Sequence, residues 1–163
     1  MIEIEQATPE TVRYIIERPR DIEIEAYRVM GITDPLMLID SFVSADHAFI
    51  TRHDGEPTVY LSLMLDGPVA KYNAIGTPGM MRSGLYYVRL ARDFHRWGAE
   101  RYPDLVHVSC AHVDSPAIRF MQVVGLEPTH VVDLNGLPIQ VLGFDARKYS
   151  HQPRIVDWES RQQ

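Results

Sequence analysis

Residues 71–101 read KYNAIGTPGMMRSGLYYVRLARDFHRWGAER; the chain continues with LVHVSCAH at 105–112 and DSPAIRFMQVVGLEP at 114–128. Val69 to Ile75 has the apolar content of a strand, and Gly76, Thr77, Pro78 and Gly79 break it with a turn. From about Met81 or Ser83 to Arg101 the spacing predicts a long helix. Tyr87, Leu90, Ala91, Phe94 and Trp97 recur at helical intervals and define its buried face. Arg89, Arg92, Asp93, Arg96 and Glu100 fall largely on the other side. Leu105 to Ala111 reads as a short strand buried on both faces. Ser115-Pro116 opens a last helix, a hydroxyl cap followed by a proline whose missing N–H costs nothing, and Gly125 closes it.

The same signals extend outward in both directions. Ile2 to Gln6 alternates apolar and acidic residues, as a half-buried strand does. Thr8-Pro9 starts a helix that Pro19 must end near Arg18. A second helix runs from about Asp21 to Met30, before Gly31, and Asp34-Pro35 opens a third through about Val43. Ala48–Arg52 and Thr58–Leu65 flank Asp54-Gly55, and His130–Leu134 and Leu137–Phe144 flank Asn135-Gly136; both are two-residue hairpin signals. Pro138 puts the start of the final strand at an edge or irregularity. The order is strand, helices, antiparallel strands, helix, strand, helix, hairpin. That is α+β, or mixed α/β, built on a central sheet. Residues 1–148 read as a single domain and 149–163 as a polar tail. Trp158, isolated in that tail, is expected to dock either on its own domain or on a protein partner.

Composition narrows the function. The chain has 163 residues, 45% apolar, enough for one ordinary domain with a real core. Sixteen basic against 22 acidic side chains give a net charge of -6. That balance, with no basic run, argues against nucleic-acid binding through phosphate neutralisation. The lone Cys110 excludes an intramolecular disulfide and a cysteine-rich zinc site, and fits a reducing compartment. MIEIEQATPE is not a signal peptide, and no apolar run reaches the roughly 20 residues a membrane span needs. The expectation is a soluble, cytoplasmic protein of a bacterial or phage-infected cell.

In order and spacing, residues 71–128 resemble the acyl-CoA-binding half of the GNAT N-acetyltransferase superfamily, and the whole order from 1 to about 146 is similar to that family's. The resemblance implies a mostly antiparallel sheet flanked by helices. It also implies an acyl-CoA such as acetyl-CoA as co-substrate and an amine as acyl acceptor. The family's turn carries Arg/Gln-x-x-Gly-x-Gly/Ala; here Gly79-Met80-Met81-Arg82-Ser83-Gly84 supplies glycines, a serine and an arginine at different spacing. A helix start with free N–H groups and a favourable dipole suits a pyrophosphate. By resemblance, then, Gly79, Arg82, Ser83 and Gly84 would hold it, and Asn73, Ala74 and Ile75 would bind the acyl-pantetheine arm by backbone. The family's last helix carries Asn-x-x-Ala-x-x-[aromatic or Leu]-Tyr followed by Gly-Phe. Asp114, Ala117, Phe120 and Gly125-Leu126 match that pattern. Met121 stands where the family has the tyrosine that protonates the departing thiolate, and a thioether cannot donate a proton.

The family's base, often a glutamate on the strand corresponding to 71–76, is also missing. Asp66, Tyr72 and His112 are the candidate proton carriers in its place. His107, Cys110 and His112 lie close in sequence, but strand alternation puts 107 and 110 on opposite faces while 110 and 112 can share one. Cys110 reads as a buried small apolar residue ahead of a nucleophile, and no metal site is expected. The missing proton carriers leave a second reading open. In it the chain is a catalytically inactive GNAT-fold structural or interaction protein, such as a phage virion-associated protein.

Overall fold

The structure is a computed structural model and describes residues 1–162. β1 (Ile2–Gln6) leads into α1 (Pro9–Ile16), whose Thr8 and Thr11 hydroxyls reciprocally cap the helix start. α2 (Asp21–Val29) follows, then a 3₁₀ turn at Pro35–Leu38 runs into α3 (Ile39–Val43), so the third predicted helix is tighter at its start than an α-helix. β2 (His47–His53), β3 (Glu56–Asp66) and β4 (Val69–Gly76) form a meander. A 3₁₀ turn at Pro78–Ser83 precedes the 18-residue α4 (Gly84–Arg101). β5 (Val106–His112), α5 (Ala117–Val124), β6 (Glu127–Leu134) and β7 (Leu137–Gly143) complete the order. Asp54 and Asn135 adopt left-handed φ values of 51° and 52°, each followed by a glycine at 87°, as the two-residue hairpins require.

The seven strands form one sheet in the order β1-β2-β3-β4-β5-β7-β6, antiparallel throughout except for β4 with β5. The protein is therefore mixed α/β with a mostly antiparallel sheet. Strand alternation sorts the core onto two faces. Ile50, Tyr60 and Ile75 meet Val12, Ile15 and Ile16 of α1 on one face. Phe49, Leu61, Leu63 and Tyr72 meet Leu90, Phe94 and Trp97 of α4 on the other. β7 lies inside the sheet and β6 at its edge, so Pro138 takes the beginning of an interior strand, opposite Asp133.

The C-terminal segment is not a loose tail. Val156 and Trp158 belong to the α4-side core, and Trp158 is 1% exposed. Its indole N–H donates to Asp93 Oδ2 at 3.0 Å, and the Val156 N–H reaches the same oxygen at 3.2 Å. Arg96 donates to the Tyr149 carbonyl at 2.8 Å. Asp93 and Arg96, expected on the solvent face of α4, are buried because this segment crosses them. Burial pushes the Asp93 carboxyl up, against the opposing pull of the Trp158 hydrogen bond and Arg154. Of the two roles expected for Trp158, the structure shows docking on its own domain.

Candidate functional site

β4 and β5 pair only at Val69–Val106, Ala70–His107 and Lys71–Val108, and then part. The Ser109 hydroxyl marks the fork by donating to the Tyr72 carbonyl at 3.1 Å, taking the acceptor that continued pairing would use. Beyond it, two strands in the middle of a sheet have free edges. Asn73 and Ala74 on β4 and Cys110 on β5 are accordingly exposed in mid-strand.

Hydrogen bonds on either side of the fork fix which backbone groups face it. Pro68 O accepts from Val106, Tyr72 O from Ser109, and Gly76 N–H donates to Glu23 Oε1 at 3.0 Å. Thr77 N–H bonds instead to Thr58 of β3. Backbone direction alternates along a strand, and β4 pairs with β3 without a bulge, so Ala74 turns its N–H and C=O into the gap while Asn73 and Ile75 turn theirs to β3. On β5, Val106 bonds toward β4 and His107 and Val113 toward β7, which places the Cys110 backbone groups in the gap from the other side.

The gap opens into a cleft of about 380 Å³ that reaches both faces of the sheet. Tyr72, Asn73, Ala74, Ile75 and His112 line it, together with Ser109, Cys110 and Ala111 of β5. Phe120 and Met121 of α5 close one side, so the position that resemblance associates with an acidic tyrosine presents a thioether to the cleft. Gly79, Arg82, Ser83 and Gly84 are not part of the lining. They belong to the 3₁₀ turn and the first residue of α4; Gly79 directly precedes the lining residue Met80, and Arg82, Ser83 and Gly84 fall between Met80 and Tyr87. No side chain caps the start of α4, and a Cβ at Gly84 would meet nothing within 4 Å, so the backbone there is unobstructed.

The candidate proton carriers separate. Asp66 lies outside the cleft. β3 runs past the fork, so the β3–β4 turn sits at the closed end, where β4 still pairs with β5, and the exposed Asp66 carboxylate binds Lys71 Nζ at 2.9 Å. The Tyr72 ring is a wall of the cleft, but its hydroxyl is fixed beneath α4. It donates to His107 Nδ1 at 2.7 Å, because His107 Nε2–H is committed to the Tyr102 carbonyl. Burial pushes the phenol well above its ordinary value, which removes Tyr72 as a base. His112 does reach the cleft. Its Nδ1 accepts the Asp114 backbone N–H at 3.0 Å, so the neutral ring carries its proton on Nε2 and acts as a donor.

Cys110 corrects the expectation of a buried residue: the departure of β4 uncovers it. Its thiol is nevertheless pushed up, partial burial outweighing the nearby Lys71 ammonium, which does not suit a nucleophile. Two cleft residues escaped the sequence analysis. His95 of α4 is buried against Tyr72, donates Nδ1–H to the Ala91 carbonyl, and leaves Nε2 without a partner among the described residues. Burial lowers its pKa to about 4. Glu23 of α2 is 6% exposed and bound by Arg20, and its only sequence signal was an acidic residue in a first helical turn.

The chain matches no protein-family model and no curated protein at the level of sequence. Solved structures match it at full length. The aminoglycoside acetyltransferase AAC(6')-Ib in complex with acetyl-CoA superposes with a TM-score of 0.66 at 15% identity, covering 95% of this chain and 99% of that one. A GNAT-family acetyltransferase from Bacillus anthracis gives 0.64 at 11% identity over 90% and 95% of the two chains. A chimera of spermidine N-acetyltransferase SpeG from Vibrio cholerae gives 0.62 at 11% identity over 93% and 99%. The likeness runs over nearly the whole chain, and the protein has the fold of the GNAT N-acetyltransferases.

Proposed function

We propose that the forked cleft binds an acyl-CoA and that the protein transfers its acyl group to an amine. The observation that carries this reading is the fork itself. Ala74 and Cys110 turn backbone groups toward each other across the open part of the fork, and the amides of a pantetheine arm are complementary to such edges. Ala74 would hold the arm by backbone, its N–H polarising the thioester carbonyl, while Asn73 and Ile75, whose backbone groups pair with β3, would only line the cleft beside it. Gly79, Arg82, Ser83 and Gly84 would receive the pyrophosphate at the uncapped start of α4.

The transfer forms a C–N bond and breaks the C–S bond. The amine's proton leaves to solvent through the cleft mouth, since Asp66 lies outside and Tyr72 is locked. His112 Nε2–H would hydrogen-bond the departing thiolate. As a neutral imidazole it stabilises that charge without handing over its proton, which the thiolate takes from water. Calorimetric titration with acetyl-CoA and with coenzyme A tests the reading. Micromolar binding, lost in Gly84→Glu, which puts a carboxylate where the phosphates would sit, is the expected result. Absence of binding at millimolar ligand would refute it and favour the inactive, interaction-protein reading, for which the thioether at Met121 speaks.

A further inference from the structure

The cleft has a second wing, on the α2 side of the sheet. Ile22, Ala26, Met30, Leu38 and Phe42 wall it. Phe42 is held in place by stacking on Tyr60 at 4.9 Å, while the Tyr60 hydroxyl donates to the Phe42 carbonyl at 2.8 Å. Two charged side chains, Arg20 and Glu23, line the whole cleft, and each cancels the other. Arg20 Nε reaches both Glu23 oxygens, at 3.1 and 2.8 Å, its terminal nitrogen adds a further bond, and Gly76 N–H takes Oε1 as well. No carboxylate among the described lining residues is left for an incoming cation. A ligand with several positive charges would lose their hydration there without an ion partner, which is strongly unfavourable.

One polar group in the wing is unsatisfied. The Tyr27 hydroxyl is buried without a hydrogen-bond partner among the described residues. Burial, with the Glu23 carboxylate nearby, pushes it up to about 12, so it stays protonated and able to donate. Leaving such a group buried and unpaired is unfavourable. An acyl chain filling the wing would perpetuate that cost, whereas an acceptor with a polar group beside its apolar body would remove it.

Building on the acyl-transfer reading, we infer that the α2-side wing selects the acceptor, and that the acceptor is a monoamine carrying an aromatic or branched apolar body, with a hydrogen-bonding group against the Tyr27 hydroxyl. Polyamines and aminoglycosides are excluded as good acceptors by the same walls. The selectivity is positional: Met30, at the C-terminal cap of α2, faces the apolar body, and Glu23 is unavailable to an ammonium group because Arg20 and Gly76 hold it.

The test is calorimetric titration of the full chain with 2-phenylethylamine and with spermidine, each with and without coenzyme A. Phenylethylamine is expected to bind at least tenfold more tightly. Met30→Glu should reverse the order of the two amines; tyramine, whose hydroxyl can accept from Tyr27, should bind severalfold more tightly than phenylethylamine, and Tyr27→Phe should abolish that difference without lowering the thermal midpoint by more than a few degrees. Spermidine binding as tightly as phenylethylamine, or no amine binding at millimolar concentration, would overturn the inference. So would octanoyl-CoA binding more tightly than acetyl-CoA and displacing phenylethylamine, since the wing would then belong to the acyl chain. Phenylethylamine binding with no coenzyme A binding would uphold the wing's preference and remove the transfer reading alone.

Discussion

Gly98 of α4 lies directly over the Tyr72 ring, and Gly98→Ala measures how firmly that wall of the cleft is held. In an open helix the change would stabilise by about 1 kcal/mol. Here a Cβ at position 98 would overlap the Tyr72 hydroxyl oxygen and stand 2.9 Å from Cζ and 3.1 Å from Cε1. These are ring atoms, and the ring cannot swing aside without breaking its 2.7 Å bond to His107. Overpacking of this kind costs about 1–3 kcal/mol, and a lost buried hydrogen bond that strands its partner costs about 1–3 kcal/mol more. Set against the gain in helix propensity, the net expectation is a loss of about 1–5 kcal/mol. Urea denaturation of the wild type, Gly98→Ala, Tyr72→Phe and the double variant forms the assay. Because Tyr72→Phe removes the overlapping oxygen, the double variant should be less destabilised than the sum of the singles by at least 1 kcal/mol. A neutral or stabilising Gly98→Ala, or strict additivity, would refute the packing argument and with it the claim that Tyr72 is locked out of proton transfer.

Trp158→Ala should cost about 3–5 kcal/mol, since it empties a core site and strands the Asp93 carboxylate; an unchanged thermal midpoint would show that the C-terminal segment does not dock. Acidification should destabilise the fold. The unfolded His95 takes up a proton near 6.5 and the folded one only near about 4, so its stabilisation is complete above pH 6.5 and is lost as pH falls through that interval, by about 3 kcal/mol at 1.36 kcal/mol per pH unit. His47 and His107, both lowered by burial, act in the same direction, while the raised Asp93 opposes them. Equal urea midpoints at pH 7 and pH 5 would count against this. Cys110, exposed in the fork, should be alkylated by iodoacetamide slowly at pH 7 and at least tenfold more slowly with coenzyme A bound; mass spectrometry that finds no protection would place the cofactor elsewhere.

What the sequence disclosed was local. The five apolar positions of 81–101 recur at helical spacing, and Asp54-Gly55 and Asn135-Gly136 must turn, so α4 and both hairpins were legible without partners. Alternation also put His107 and Cys110 on opposite faces and Cys110 with His112. What stayed hidden depended on which neighbour each residue meets. Asp66 and Ala74 are eight residues apart in one hairpin, yet lie on opposite sides of the fork, because β4 pairs with β5 for only three residues. Cys110 is exposed for the same reason: its face could be read, but not the absence of the strand beside it. Trp158 finds Asp93 across 65 residues of sequence, a pairing that no local pattern encodes. Glu23 illustrates the limit most sharply, since its burial rests on meeting both Arg20 and the far end of β4.

The central claim is that the β4–β5 fork is the cofactor channel. Backbone amide chemical shifts recorded while coenzyme A is added test it residue by residue. The account predicts that the amides of Ala74, Cys110 and the first turn of α4 move together and saturably, while that of Asp66, at the closed end, stays still. Saturable shifts confined to other surfaces, with Ala74 and Cys110 unmoved, would contradict it.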